Sequence, residues 1–209
     1  MTKDLLLKLI AEKGYDVLYG AKRNFASYDI LNDIPKYSSF VSLIFGVLGL
    51  VYPDFATQII SVIMLLIGIV GMYYDAKSSY LEHYKEVGIK TIQIYDELKL
   101  LYSSVSMPDF NENKIADALS QYRLLSHQYQ EISNPDQLFL SDCYAHFKIF
   151  YQGQIQWLDK ELNLKWWKDK VPGTMKFAIF TTAFVSISYI AYKCWPCIIK
   201  LIGTICVCK

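Results

Sequence analysis

Two uncharged apolar runs set the tightest limit on what this chain can become. Tyr37 to Tyr52 (16 residues) and Phe55 to Tyr74 (20 residues) carry no Asp, Glu, Lys or Arg, and only Pro53 and Asp54 lie between them. As helices rising about 1.5 Å per residue they reach about 24 and 30 Å, against a hydrocarbon core of about 30 Å. Tyr37, Tyr52, Phe55, Tyr73 and Tyr74 stand at the ends, where amphipathic rings favour the boundary between headgroup and tail. Two spans joined by so short a turn must pack antiparallel. The alternative is a buried hairpin of a soluble core, but cores seldom use two consecutive uncharged helices of this length.

Charge placement orients the hairpin. Lys3, Lys8, Lys13, Lys22, Arg23 and Lys36 precede the first run, and Lys77, Lys85, Lys90 and Lys99 follow the second. The break between the runs holds neither Lys nor Arg. Positive residues accumulate on the cytoplasmic side, so both flanks are expected in the cytoplasm and the turn on the far side. The opening MTKDLLLKLIAEKG mixes acids with lysines and lacks the small-residue cleavage site of a secretory signal. The net charge of +1 gives no global attraction to nucleic acid, and none is expected as a partner.

Each run carries a stripe of small residues. Ser42, Gly46 and Gly49 fall at i, i+4 and i+7, and Thr57, Ser61, Gly68 and Gly71 lie within about one face of the second helix. Small residues let helix backbones approach closely in lipid. They are therefore candidates either for closing the hairpin or for facing neighbouring protomers or a pore. The first role needs no partner, whereas the second implies a homo-oligomer.

Beyond the second run the helical pattern continues. Tyr80, Tyr84, Val87, Thr91, Ile94, Leu98, Leu101 and Val105 alternate in steps of four and three, a heptad seam. The second span is expected to run on as one long cytoplasmic helix. Its seam would pack on the N-terminal segment, where Leu18, Phe25 and Tyr28 form an apolar face, or on a second copy of itself. Ser106-Met107-Pro108-Asp109 ends it, because Pro cannot continue a helix. A shorter helix is expected from Asn113 to about Ile132. Asn134-Pro135-Asp136 then reads as a cap, a first helical position and an acid at the positive dipole end. In the helix that follows, Leu140, Tyr144, Phe147, Tyr151, Ile155, Leu158 and Leu162 step by three and four, broadened by Phe139, Phe150 and Trp157. That aromatic face is expected to be buried. No alternating strand pattern occurs, so the fold class is all-α.

The C-terminal segment returns to membrane character. Trp166 and Trp167 stand among Lys165, Lys168 and Lys170, and Phe177 to Tyr192 is another uncharged run of 16 residues. The 12 residues from Cys197 to Cys208 make only about 18 Å of helix, too short to return comfortably. One span followed by a short interfacial or re-entrant helix, with a bend at Trp195-Pro196, is the expectation. Cys194, Cys197, Cys206 and Cys208 crowd there, but the terminal C-x-C spacing is atypical for zinc and the setting of a redox C-x-x-C is absent. Should that end face an oxidising compartment, a disulfide is open to it.

Asp142 and His146 lie four apart, with His127 elsewhere, and could be metal ligands or a buried histidine bonded to a carboxylate. No H-E-x-x-H, G-x-S-x-G, phosphate-loop or dinucleotide fingerprint occurs, so no enzyme, cofactor or metal is expected. The expected organisation is an N-terminal cytoplasmic helix (1–36), a transmembrane hairpin (37–74), a cytoplasmic helical domain (75–170) and a C-terminal membrane segment (171–209).

An N-terminal helix carrying Gly20-Ala21-Lys22-Arg23-Asn24-Phe25-Ala26, two spans joined by a tiny turn, and a long charged helix opening Tyr74-Asp75-Ala76-Lys77 together resemble the SLATT family. These are bacterial two-transmembrane effectors associated with nucleotide-second-messenger and SLOG-type systems. The resemblance covers about residues 5 to 165 and rests on architecture rather than on a catalytic motif; the third apolar segment departs from the two-span pattern. It implies an inner-membrane effector of antiviral defence, held quiet until infection, which then oligomerises or opens to breach the membrane in abortive infection. It also implies a nucleotide second messenger or a partner defence protein as the trigger. A non-conducting membrane scaffold that recruits a partner through the aromatic helices is the alternative.

Overall fold

The computed structural model describes residues 2–52, 57–133, 136–153, 155–165, 169 and 171–188. Among these the secondary structure is helical, with no strand. The chain divides into two compact units, residues 1–164 and 165–209.

The first unit is organised by one helix. α1 runs without interruption from Lys3 to Val51, 49 residues, about 74 Å at the usual rise. The N-terminal segment and the first apolar run are thus one element. Pro35 sits inside it, just before the first apolar run. Proline has no N–H to donate, so the helix forgoes one internal hydrogen bond there. The carbonyl left without its helical donor is that of Leu31, four residues earlier, while Ser38 Oγ makes a separate bond to the Pro35 carbonyl at 3.0 Å.

α2 (Gln58–Asp75) returns alongside α1. Thr57 caps it, Oγ1 accepting from the Ile60 N–H at 3.5 Å. Pro53 and Asp54, the expected turn, lie outside the described residues. Both helices are long and apolar enough to cross a membrane. Their apolar windows are 0% and 11% buried, against the buried state that a soluble core would impose. Leu50 is 88% exposed and Ile59 74% exposed. Side chains of this kind left uncovered over two helices are consistent with a membrane protein.

The expected continuation of α2 into a single long helix is corrected. Ala76 and Lys77 form a turn, Ser78–Tyr80 is a short 3-10 helix, and α3 begins at Leu81 and ends at Ser106. Ser78 and Ser79 fall at this break, and serine side chains compete for backbone groups and weaken helix interiors. The seam on α3 is as expected from Tyr84 onward. Tyr84, Val87, Thr91, Ile94, Leu98, Leu101 and Val105 are buried, while Tyr80, within the break, is 57% exposed. The seam packs on α1, which contacts α3 more extensively than any other element. Leu6, Ile10 and Val17 of α1 are fully buried against it, joined by Ala118 and Leu125 of α4 (Ile115–Ile132).

The expected helix from Asn134 to Leu162 is two shorter ones, α5 (Ser141–Gln152) and α6 (Gln156–Leu162). The proposed cap at Asn134-Pro135 lies outside the described residues. Residues 136–140 are not helical, and side chains from α2 and α3 bond to carbonyls of this stretch. Tyr84 Oη donates to the Asp136 carbonyl at 3.2 Å, and Tyr74 Oη to that of Phe139 at 3.3 Å. Leu138 is buried between them, packed with Ile30, Leu31, Tyr74 and Tyr84. Leu140 then takes a left-handed backbone (φ 70°), and Ser141 donates both its N–H and its Oγ–H to the Leu138 carbonyl.

The buried face of α5 also differs from expectation. Ser141, Ala145 and Ile149, spaced by four, are each 0% exposed. Tyr144, Phe147 and Tyr151 stand outside at 37%, 47% and 67% exposure. Small side chains at 141 and 145 let α5 lie close on α1, and close approach turns the bulky aromatics outward. On α6 the expectation holds: Leu158 is fully buried, and Trp157 packs on Tyr95 and Tyr102 with its Nε1–H donated to Tyr95 Oη at 2.9 Å.

In the second unit, residues 173–188 are helical, with Phe177, Phe180 and Phe184 exposed. Thr182 Oγ1 donates to the Ala178 carbonyl at 2.7 Å, turning a polar side chain back on its own helix. The four C-terminal cysteines, the Trp195-Pro196 bend and the Trp166–Trp167 pair lie outside the described residues.

A candidate membrane site between the two spans

Apart from Ser42, the small residues expected to matter divide into three groups. Gly71 closes the hairpin: a methyl group added there would overlap the Ser38 side chain. Thr57 and Ser61 serve the start of α2, one as its cap and the other donating Oγ–H to the Thr57 carbonyl at 3.1 Å. Gly46, Gly49 and Gly68 have open space where a Cβ would go. The hairpin therefore uses one of its four glycines for its own closure.

Two hollows flank the Ser38–Gly71 contact. One, of about 380 Å³, is lined by Pro35, Ser38, Ser39, Ser42, Gly68, Gly71, Met72 and Asp75. The other, of about 420 Å³, is lined by Ile34, Tyr37, Ser38, Val41, Ile63, Leu66, Ile67 and Val70. The first is the polar one. Three serine hydroxyls and a carboxylate meet there on helices otherwise clothed in aliphatic side chains. Ser38, Ser39 and Asp75 stand at one end of the two apolar runs, beside Tyr37 and Tyr74, and Ser42 stands one helical turn further in. Ser42, Gly68 and Gly71 are brought together in this hollow, whereas Gly46 and Gly49 lie further along α1. Ser38, Ser39 and Asp75 were missed in the sequence, although Ser38, Ser39 and Ser42 share a spacing of one and four that could have marked a polar stripe.

Below the hairpin the residues weighed as metal ligands are engaged otherwise. Asp142 accepts a hydrogen bond from Tyr19 Oη and lies 3.7 Å from Arg23 Nε. Burial and that carboxylate push the Tyr19 phenol well above its usual range. His146 sits edge-on to the Tyr19 ring at 5.1 Å. His127 is on α4, where its Nδ1 is 3.4 Å from Glu131. Among the described residues no three of His, Cys, Asp and Glu gather as a metal site would require.

Lys148 of α5 pairs with Asp29 of α1 and lies 4.6 Å from the centre of the Tyr144 ring. Together with the Arg23–Asp142 contact this pins α5 to the half of α1 that precedes the apolar run.

No curated protein and no solved structure matches the chain. The description SMODS and SLOG-associating 2TM effector domain 6 matches residues 1–179. The two apolar helices of the hairpin agree with the two spans which that description names. With so much of its 209 residues covered, the chain belongs to the SLATT family of two-transmembrane effector domains.

Proposed function

We propose that this protein is a pore-forming or membrane-disrupting effector of a bacterial antiviral system acting through abortive infection. In this reading it sits in the inner membrane with its N-terminus and helical body in the cytoplasm, and it acts without catalysing a reaction. Copies assemble when the body receives a signal, from a nucleotide second messenger or a partner defence protein. The residues after 170 supply a further membrane segment. The observation that supports this reading best is the polar hollow of Ser38, Ser39, Ser42 and Asp75, beside Gly68, which the hairpin itself does not use. Turned inward in an oligomer, that face would line a water-filled path, and Gly46, Gly49 and Gly68 would let neighbouring helices approach.

The test is induced expression in a bacterium with a membrane-potential dye, with and without the neighbouring gene products. Wild type is expected to depolarise the membrane. Gly46→Leu and Gly68→Leu, which fill open space without clashing inside the hairpin, are expected to insert and to lose that activity.

A second reading is favoured by one observation. Tyr144, Phe147 and Tyr151 form an exposed aromatic face on α5, which a non-conducting scaffold would use to recruit a partner protein. Tight co-purification with a partner, together with no depolarisation in any combination of genes, would establish it over the pore.

A further inference from the structure

Where α1, α3 and α5 meet, a hollow of about 430 Å³ is lined by Lys22, Phe25, Tyr28 and Asp29 of α1, Lys85 and Ile89 of α3, and Lys148 of α5. Its volume falls in the range of small-molecule sites. Three ammonium groups face it with one carboxylate. Lys85 is already paired with Glu82 at 3.0 Å, and Lys148 with Asp29. Among the described residues Lys22 has no acidic partner. It is half-buried, and burial together with the Lys148 charge holds its ammonium below the ordinary lysine range. Bringing Lys22 and Lys148 together in partial burial is unfavourable for the empty fold. An anion between them removes that cost.

The walls are fixed rather than soft. The Phe25 ring lies against Gly88, where an added methyl group would come within 2.9 Å of Phe25 Cε1. Tyr28 and Ile89 add apolar surface. A cavity with positive charge at one side and aromatic and aliphatic walls at the other suits a ligand with both characters.

We infer that this hollow binds a phosphate-bearing organic anion, its charge held between Lys22 and Lys148 and its apolar part against Phe25, Tyr28 and Ile89. Phosphate oxygens accept from several ammonium donors at once, which a single carboxylate does less well. The ligand competes with Asp29 for Lys148 and so loosens α5 from α1. This names a receiving site for the signal in the function proposed above, and its role in signalling rests on that reading; the binding itself does not.

The test uses the full chain in mild detergent, with unfolding followed against inorganic pyrophosphate at constant ionic strength. A parallel series replaces pyrophosphate with phosphatidylglycerol in phosphatidylcholine micelles, so that a soluble phosphate and a lipid headgroup are told apart. Either ligand is expected to raise the unfolding temperature. Lys22→Gln and Lys148→Gln should each weaken apparent affinity by roughly tenfold or more, as expected for loss of a charge-assisted contact. Asp29→Asn breaks the same ion pair as Lys148→Gln but removes a competitor, so it should tighten binding. No stabilisation by either ligand would overturn the site, as would equal stabilisation of wild type and the Lys22→Gln, Lys148→Gln double variant. Weakened binding in Asp29→Asn would equally count against it, showing that the ion pair matters only for folding. A chain that binds pyrophosphate yet never depolarises a membrane keeps this site and loses the pore.

Discussion

Ile149→Ala and Phe147→Ala, two residues apart on α5, should have opposite importance to their size. Ile149 is 0% exposed against α1, and Phe147 is 47% exposed. Truncating Ile149 removes three buried carbons, worth about 0.8 kcal/mol each in transfer energy, and leaves a cavity that α5 cannot fully close. The expected loss is about 3 to 4 kcal/mol, within the usual range for buried isoleucine. Phe147 is half-covered, so its truncation should cost about 1 kcal/mol or less. Guanidinium unfolding of the full chain in mild detergent, followed by circular dichroism at constant slope, reads both. Equal losses, or a larger one for Phe147→Ala, would refute the placement of Ser141, Ala145 and Ile149 against α1. They would restore the aromatic face as the buried one.

Further substitutions probe other contacts. A Cβ at Gly14 would lie 2.7 Å from Trp157 Cη2, so Gly14→Ala should destabilise the body by about 1 to 3 kcal/mol in the same assay. Gly71→Val should destabilise the hairpin by a similar overpacking cost against Ser38, whereas Gly46→Val should not; thermal unfolding in detergent distinguishes them. Tyr102 Oη donates to Glu161 at 2.7 Å, and burial, with that hydrogen bond, pushes the phenol up to about 12. Its stabilising contribution is complete below pH 10, where the unfolded phenol is neutral, and is lost as pH rises from 10 to about 12. Tyr102→Phe should therefore be less stable than wild type at pH 8 and close that gap by pH 12, measured by unfolding at each pH.

The parts legible in the sequence were those governed by long periodic patterns. The uncharged runs marked the hairpin, and the seam from Tyr84 to Val105 marked the face of α3 that lies on α1. The seam was readable because large apolar residues recur where the packing is wide enough to hold them. On α5 the same logic misled. Bulk in the sequence suggests burial, but the close crossing of α1 favours small side chains at Ser141 and Ala145, so Tyr144, Phe147 and Tyr151 are left outside. The break at Ser78–Tyr80 was hidden because Tyr80 stands four residues before Tyr84 and so extends the step of the seam, although Asp75, Lys77, Ser78 and Ser79 interrupt the apolar run there. The basic hollow was invisible for a different reason: Lys22, Lys85 and Lys148 lie far apart in the chain and meet only through helix crossings. In a sequence each reads as a solvated lysine.

α1 and the α2–α3 connection are mechanically unlike. The body grips the first half of one unbroken 49-residue helix whose second half lies in the hairpin, while the return path passes through a turn at Ala76–Tyr80. Torque applied to the body would therefore pass into the hairpin along α1 and be interrupted at the turn on the α2–α3 side. Successive residues of a helix are about 100° apart in azimuth. Rotating α1 by less than a third of a turn would carry the Gly46–Gly49 edge to where Val47 and Leu50 now point, exchanging a groove for a ridge on the exposed surface of the hairpin.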